Sequence, residues 1–129
     1  MPKFLATLGF ALLLTAPPGQ VRADFNAGLL AYENGDYKTA YEQWRPGAEK
    51  GDPYAQHMLG FLYANGRAVP LDPKQTILWW QRAADQGFAP AQYTLGSLYR
   101  EGLGVRRDLE KAAHWISRAA DAGYPDAQY

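Results

Sequence analysis

Cysteine is missing altogether from this 129-residue chain. Its absence removes disulfides, thiolate metal ligands and thiol nucleophiles together, and leaves no thiol for lipid attachment. Serine is nearly as scarce. Ser97 stands in Ser97-Leu98-Tyr99-Arg100 and Ser117 in Ser117-Arg118-Ala119-Ala120, and neither opens an S-x-x-K nucleophile signature. The two histidines, His57 and His114, lie at non-equivalent phases on different expected helices, so they form no i,i+4 ligand pair for zinc. Gly102-Leu103-Gly104 lacks both the Lys-Ser/Thr and the preceding strand of a phosphate loop. Glu101 and Asp108 pair two carboxylates around a turn, but helix capping accounts for Asp108. Charge of one sign is also wanting: 13 basic residues balance 13 acidic ones, which gives no electrostatic reason to expect nucleic acid or anionic lipid. The chain is therefore expected to be no enzyme, with no cofactor and no metal site.

Long apolar runs are limited to one, at the N-terminus. Lys3 precedes an apolar stretch from Phe4 to Ala16, followed by Pro17-Pro18-Gly19-Gln20-Val21-Arg22-Ala23. A positive residue, a short apolar stretch and a small-x-small ending read as a secretory signal, with Val21 and Ala23 at the −3 and −1 sites and cleavage before Asp24. Thirteen helical residues at ~1.5 Å each reach about 20 Å, short of a ~30 Å hydrocarbon core. Residues 24–129 are thus expected in a bacterial periplasm or outside the cell, without stable membrane insertion. Cleavage takes away Lys3 and Arg22, which leaves 11 basic against 13 acidic residues and a net charge of −2.

What is abundant is repetition. Ala55-Gln56-His57-Met58-Leu59-Gly60-Phe61-Leu62-Tyr63 returns 36 residues later as Ala91-Gln92-Tyr93-Thr94-Leu95-Gly96-Ser97-Leu98-Tyr99, and Ala127-Gln128-Tyr129 begins it again. Trp79, Arg82, Ala83, Ala84 and Gly87 return as Trp115, Arg118, Ala119, Ala120 and Gly123. A fixed period of this size specifies an all-α solenoid of antiparallel helix pairs, about three repeats plus the start of a fourth. Ala55, Leu59, Leu62 and Tyr63 form one helical stripe, as do Ala91, Leu95, Leu98 and Tyr99. Gly66 and Gly102 fit C-caps; Asp72 and Asp108 fit N-caps, with Pro73 at the first helical position. The second helices are expected to bury Thr76, Ile77, Trp80 and Ala84, and equivalently Ala112, Ala113, Ile116 and Ala120. Gly60 and Gly96 sit inside helices at one phase, which predicts close approach of the paired helices there. Nine tyrosines and four tryptophans supply the area such stacking needs.

The first repeat is shorter. Tyr32 and Gly35 align with Tyr63 and Gly66 at an offset of 31, whereas Trp44, Ala48 and Gly51 align with Trp80, Ala84 and Gly87 at 36. Five residues are lost from its inter-helix turn, and Pro46 is expected to kink or split the second helix near Arg45.

The pattern carried by Ala55, Leu59, Gly60, Tyr63, Gly66, Val69, Asp72, Trp79, Ala83, Ala84 and Gly87, and repeated with Gly104 in place of Ala68, resembles the Sel-one-like repeat family, relatives of tetratricopeptide arrays. The resemblance covers residues 24–129, in units of about 24–54, 55–90 and 91–126 after a 1–23 signal. It implies a right-handed superhelix whose concave face is lined by first helices, and a role as an adaptor that assembles protein complexes. Carried over position by position, the partner-facing residues are Asn26, Leu30, Glu33 and Asn34 in the first repeat, His57, Phe61, Ala64 and Asn65 in the second, and Tyr93, Ser97, Arg100 and Glu101 in the third. These vary between copies while the stacking positions do not.

A protein partner is the expected ligand. Cell-wall carbohydrate, stacked on Phe61 and Tyr93, is the alternative. A β-lactam hydrolase activity, assigned to some cysteine-rich relatives, lacks its residues here. The fourth repeat stops at Tyr129, so the outer face of the third helix pair is expected to be apolar, thinly covered and open to self-association.

Overall fold

A computed structural model describes residues 18–128. Of the signal expected at 1–23, residues 1–17 lie outside the described residues, and the expected cleavage point falls inside the first helix. Six α-helices follow one another: α1 Pro18–Glu33, α2 Tyr37–Glu49, α3 Pro53–Asn65, α4 Pro73–Asp85, α5 Ala89–Glu101 and α6 Leu109–Asp121, then a 3-10 turn at Pro125–Gln128. No strand occurs among the described residues. Each helix packs against its neighbours in sequence, and the result is an α-solenoid of helix pairs α1–α2, α3–α4 and α5–α6.

Local chemistry sets the helix ends. The carboxylates of Asp36, Asp52, Asp72 and Asp108 accept from the backbone N–H groups of Thr39 at 3.2 Å, Tyr54 at 3.0 Å, Lys74 at 3.1 Å and Lys111 at 3.1 Å. Each satisfies a donor that the first helical turn leaves unpaired. At the other end of α3 and α5, Gly66 (φ 62°) and Gly102 (φ 70°) turn the chain in the left-handed conformation. The repeated Ala-Gln pair has a matching role. Gln56, Gln92 and Gln128 each donate Nε2–H to the carbonyl of Ala48, Ala84 and Ala120, at 3.0, 3.1 and 3.3 Å. Each of these carbonyls already accepts from the backbone N–H of Gly51, Gly87 or Gly123, so the start of the next repeat supplies a second donor to the end of the one before.

Packing follows from two stripes on the second helices. Thr76, Trp79 and Ala83 of α4 are buried, and so are Ala112, Trp115 and Ala119 of α6, at the same three positions. The adjacent stripe behaves differently in the two copies. Trp80 and Ala84 are buried beneath α5, whereas Ala113 is exposed and Ile116 and Ala120 are only half-buried. The expectation that Ala113, Ile116 and Ala120 are buried is corrected accordingly. Among the described residues only the short 3-10 turn follows α6, and no helix lies over that stripe. His114 is exposed as well.

The mid-helix glycines do what their recurrence suggests. A Cβ on Gly60 would fall within the Trp80 indole, and one on Gly28 would lie 2.5 Å from Trp44 Cδ1. The indole Nε1–H of Trp80 donates to the His57 carbonyl, and that of Trp44 to the Phe25 carbonyl, both at 3.0 Å. In the third repeat Ile116 stands where the indole stood, 2.6 Å from a Cβ on Gly96. Aligned on this contact, Gly28 and Gly60 are 32 residues apart; aligned on the cap, Gly35 and Gly66 are 31 apart. The extra residue is Asn34, which stands between the end of α1 at Glu33 and the left-handed Gly35.

Pro46 does not split α2, which runs unbroken to Glu49. The ring removes the hydrogen bond to the Glu42 carbonyl, but both residues are exposed, so water can serve that carbonyl. Trp44 and Ala48, fully buried on the opposite side, hold the last turn in place.

One residue sits against its intrinsic preference. Ala68 adopts φ 67°, the same left-handed conformation as its counterpart Gly104 at φ 70°. Ala68→Gly is expected to stabilise the fold by about 0.5–1 kcal/mol, the relief of left-handed strain less the added freedom of the unfolded chain. Gly104→Ala should destabilise, since its Cβ would lie 2.5 Å from Pro73 Cβ. Gly60→Ala should cost about 1–3 kcal/mol by displacing the indole, despite alanine's better helix propensity. Thermal melts followed by circular dichroism rank the three variants.

Candidate functional site

The variable positions of the first helices converge at one place. Phe61, Ala64 and Asn65 of α3 face Tyr93, Thr94, Ser97, Leu98 and Glu101 of α5 across a groove of about 570 Å³. Thr76 and Trp80 of α4 form its floor, and Leu71, Pro73, Leu103 and Gly104 close its ends. This volume lies within the range of ligand-binding clefts. The mouth is apolar: Leu71 and Leu103 are each 63% exposed.

Polar groups in the groove are few. Asn65 donates Nδ2–H to the Phe61 carbonyl at 3.1 Å, which leaves its amide oxygen as an acceptor. Glu101 accepts from Arg100 Nε at 3.2 Å through Oε1, a pair exposed on both sides and so of little energetic weight. Ser97 Oγ is shielded from solvent and has no hydrogen-bond partner.

Of the twelve residues expected to face a partner, Phe61, Ala64, Asn65, Tyr93, Ser97 and Glu101 line this groove. Arg100 is exposed beside it. Asn26, Leu30, Glu33 and Asn34 are exposed on or just after α1, outside the groove, with Leu30 at 61%.

His57 departs from the expectation. It is packed behind the groove, with ring centroids 4.8 Å from Phe61, 5.6 Å from Phe88 and 6.3 Å from Trp80. Its Nε2 lies 3.3 Å from Thr94 Oγ1. That hydroxyl sits 3.1 Å from the carbonyls of both Pro90 and Ala91, which take its single proton, so Nε2–H of the imidazole is the donor to Thr94. Burial pushes the His57 pKa down from 6.5 to about 4. The side chain is neutral at neutral pH and serves packing rather than presentation.

Several site residues escaped the sequence reading. Leu71 and Leu103 are apolar residues in otherwise turn-forming segments, and that incongruity was their signal. Phe88 is the N-cap of α5 yet makes no side-chain cap. Its ring instead lies edge-on to Tyr54 at 4.7 Å, and Tyr54 in turn to Phe25 at 5.7 Å. Tyr54 is 53% exposed. Away from the groove, Tyr41 and Tyr63 meet through their hydroxyls at 3.3 Å, and Arg45 bonds both Tyr41 and Glu49. Burial raises the Tyr63 pKa. Among the described residues no three His, Asp or Glu side chains are grouped to hold a metal.

Comparison with known proteins follows the repeat. The family model described as Sel1 repeat matches residues 53–88 and 89–124, which contain the α3–α4 and α5–α6 pairs. The chain is similar to the crystal structure of a Sel1 repeat protein from Oxalobacter formigenes, at 40% identity and a TM-score of 0.74, over 85% of this chain and 86% of that one. It is also similar to c5321, a protective antigen present in uropathogenic Escherichia coli strains displaying an SLR fold. There the identity is 34% and the TM-score 0.78 over 84% of this chain, which spans 24% of the antigen's length. Helicobacter pylori cysteine rich protein B shares the fold at 20% identity and a TM-score of 0.73, over 84% of this chain and 86% of that one. No curated protein matches.

The low pKa of His57 carries a pH dependence. The unfolded chain, with a histidine pKa near 6.5, binds more protons than the folded one, so stability rises with pH through this window. That contribution is fully present above about pH 6.5 and is lost as pH falls toward 4. Between pH 6.5 and 5 the full chain is expected to lose about 1–2 kcal/mol of unfolding free energy. His57→Gln should flatten that slope in urea titrations at each pH.

Proposed function

Since the chain belongs to the Sel1 repeat family, we propose that it is an exported protein-interaction scaffold, holding a partner protein in the groove between α3 and α5. Sel1 repeat proteins are generally helical scaffolds for protein partners and typically non-catalytic. The observation that carries the assignment to this groove is its apolar mouth. Two leucines at 63% exposure flank a cleft whose lining includes Trp80, Phe61 and Tyr93. Exposed apolar surface around a concavity marks an interaction site.

The aromatic rings support a protein rather than a sugar ligand. Phe61 meets Trp80 edge-on at 5.1 Å, and Tyr54 meets Phe88 in the same way, so the rings are engaged with each other instead of offering a row of flat faces. Arg100 and Glu101 at the rim, with Asn65, supply polar contacts of the kind that set register. His57 is left out of the contact surface and supports the groove wall from behind.

Export rests on the Lys3–Ala23 signal pattern, and the protective-antigen description of the E. coli relative agrees with an exposed location. No helix among the described residues is long and apolar enough to cross a membrane. Cleavage before Asp24 would shorten α1 to residues 24–33 and leave an acidic side chain at its N-terminus, where the helix dipole favours it. The half-buried stripe on α6 offers a second surface, for another copy of the chain.

A photo-cross-linking residue at Ser97 should give a discrete protein adduct in cells, and Phe61→Ala with Tyr93→Ala should reduce it at least about tenfold. Adducts from Leu30 on α1 but none from Ser97 would remove the groove from the proposal. Mass spectrometry of the same protein should find Asp24 as the first residue.

A further inference from the structure

The groove has a definite chemical sign. Glu101 is the one charged side chain in its lining, and the neutral polar groups beside it include the Asn65 amide and the Tyr93 and Ser97 hydroxyls. The backbone carbonyl of Phe61 is already capped by Asn65. The charge that the lining presents to an occupant is negative, set in an apolar trough. No lysine, arginine or histidine lines it, and Arg100, outside the lining, pairs with Glu101 through Nε at 3.2 Å. A carboxylate or phosphate entering here would meet like charge and find no cationic donor in the lining. An apolar segment with a cation beside it would find all its contacts.

The shape narrows the occupant further. With Leu71 and Leu103 exposed at the mouth, the groove stays open to solvent, so it suits a segment laid into it rather than a molecule enclosed by it. About 570 Å³ holds a few large side chains at once. Resting on the groove reading above, we propose that the occupant is a partner segment that buries large apolar side chains against Trp80, Phe61 and Tyr93 and sets an adjacent lysine or arginine on Glu101. Acidic and phosphorylated segments are excluded by the same chemistry. The leucines at the mouth set affinity, and Glu101 sets the preference for a basic flank.

The test is a selection of the full chain against a random dodecapeptide display library. Enriched peptides should pair leucine, phenylalanine or tryptophan with a lysine or arginine within a few positions. Their affinity should fall about fivefold in Glu101→Gln, the loss expected of one exposed ion pair. Leu71→Ser with Leu103→Ser should weaken every selected peptide alike without changing the basic preference. Both substitutions lie at exposed positions, and unchanged far-ultraviolet circular dichroism will show that the fold is retained. Enrichment of acidic or purely polar peptides, indifference to Glu101→Gln, or no enrichment at all overturns the proposal. A native protein cross-linked at Ser97 through an acidic segment would leave the groove as the binding site while refuting this description of its occupant.

Discussion

Bare backbone pressed against an indole is the contact from which the rest of this solenoid follows. A helix interior ordinarily keeps its neighbours away by its Cβ atoms. Gly28 and Gly60 remove that barrier, so that Trp44 and Trp80 lie directly on the first helices and donate to the Phe25 and His57 carbonyls. Only one distance and one rotation of the helix pair satisfy both the van der Waals contact and the hydrogen bond. Helix propensity is weakened by about 1 kcal/mol at each glycine, and the burial of a large aromatic offsets it. The aspartate caps and the Gln-to-carbonyl links then fix where each pair begins and how it meets the next. The groove is a by-product of that geometry, since the Trp80 indole laid on Gly60 lines it and Phe61 packs edge-on against that indole.

Much of this was legible because it repeats. Two copies of Leu-Gly-x-Leu-Tyr at one spacing identify the stacking face, and the positions that change between copies identify what does not stack. Phe61, Asn65, Tyr93, Ser97 and Glu101 were found in that way. His57 was misplaced because the period gives a residue's direction but not what covers it; Phe88, from outside the stripe, closes over the imidazole. Leu71 and Leu103 were missed for the complementary reason, since the inter-helix turns carry no period by which to read their aim. The same limit applies at α6, where Ile116 and Ala120 hold positions that are buried in α4, yet no covering helix follows among the described residues. Pro46 shows a local rule losing to tertiary context. Its missing N–H matters little where the freed carbonyl faces water and two buried residues pin the far side.

Position 88 shows a division of labour between packing and capping. Its counterpart Asp52 accepts from a backbone N–H, whereas Phe88 leaves the first turn of α5 without a side-chain acceptor. In exchange its ring joins Tyr54 and His57 into one aromatic wall behind the groove. A wall built of interlocked rings is stiff, and stiffness is what a surface needs if ordering on contact is not to consume its binding energy.

Trp79 and Trp80 are neighbours in sequence but belong to different cores. Trp79 is buried with Ala40, Trp44 and Leu59, while Trp80 is buried with Ala91, Leu95 and Trp115. Helix α4 is thus a party wall, and neither room stands without it. Linear arrays generally fold by adding neighbours one at a time, but here the coupling between neighbours is concentrated in two adjacent indoles. Loosening of either half withdraws burial from the other, so a disturbance at the groove floor is felt in the first repeat as well, and the chain behaves as one cooperative unit rather than a string of separable modules.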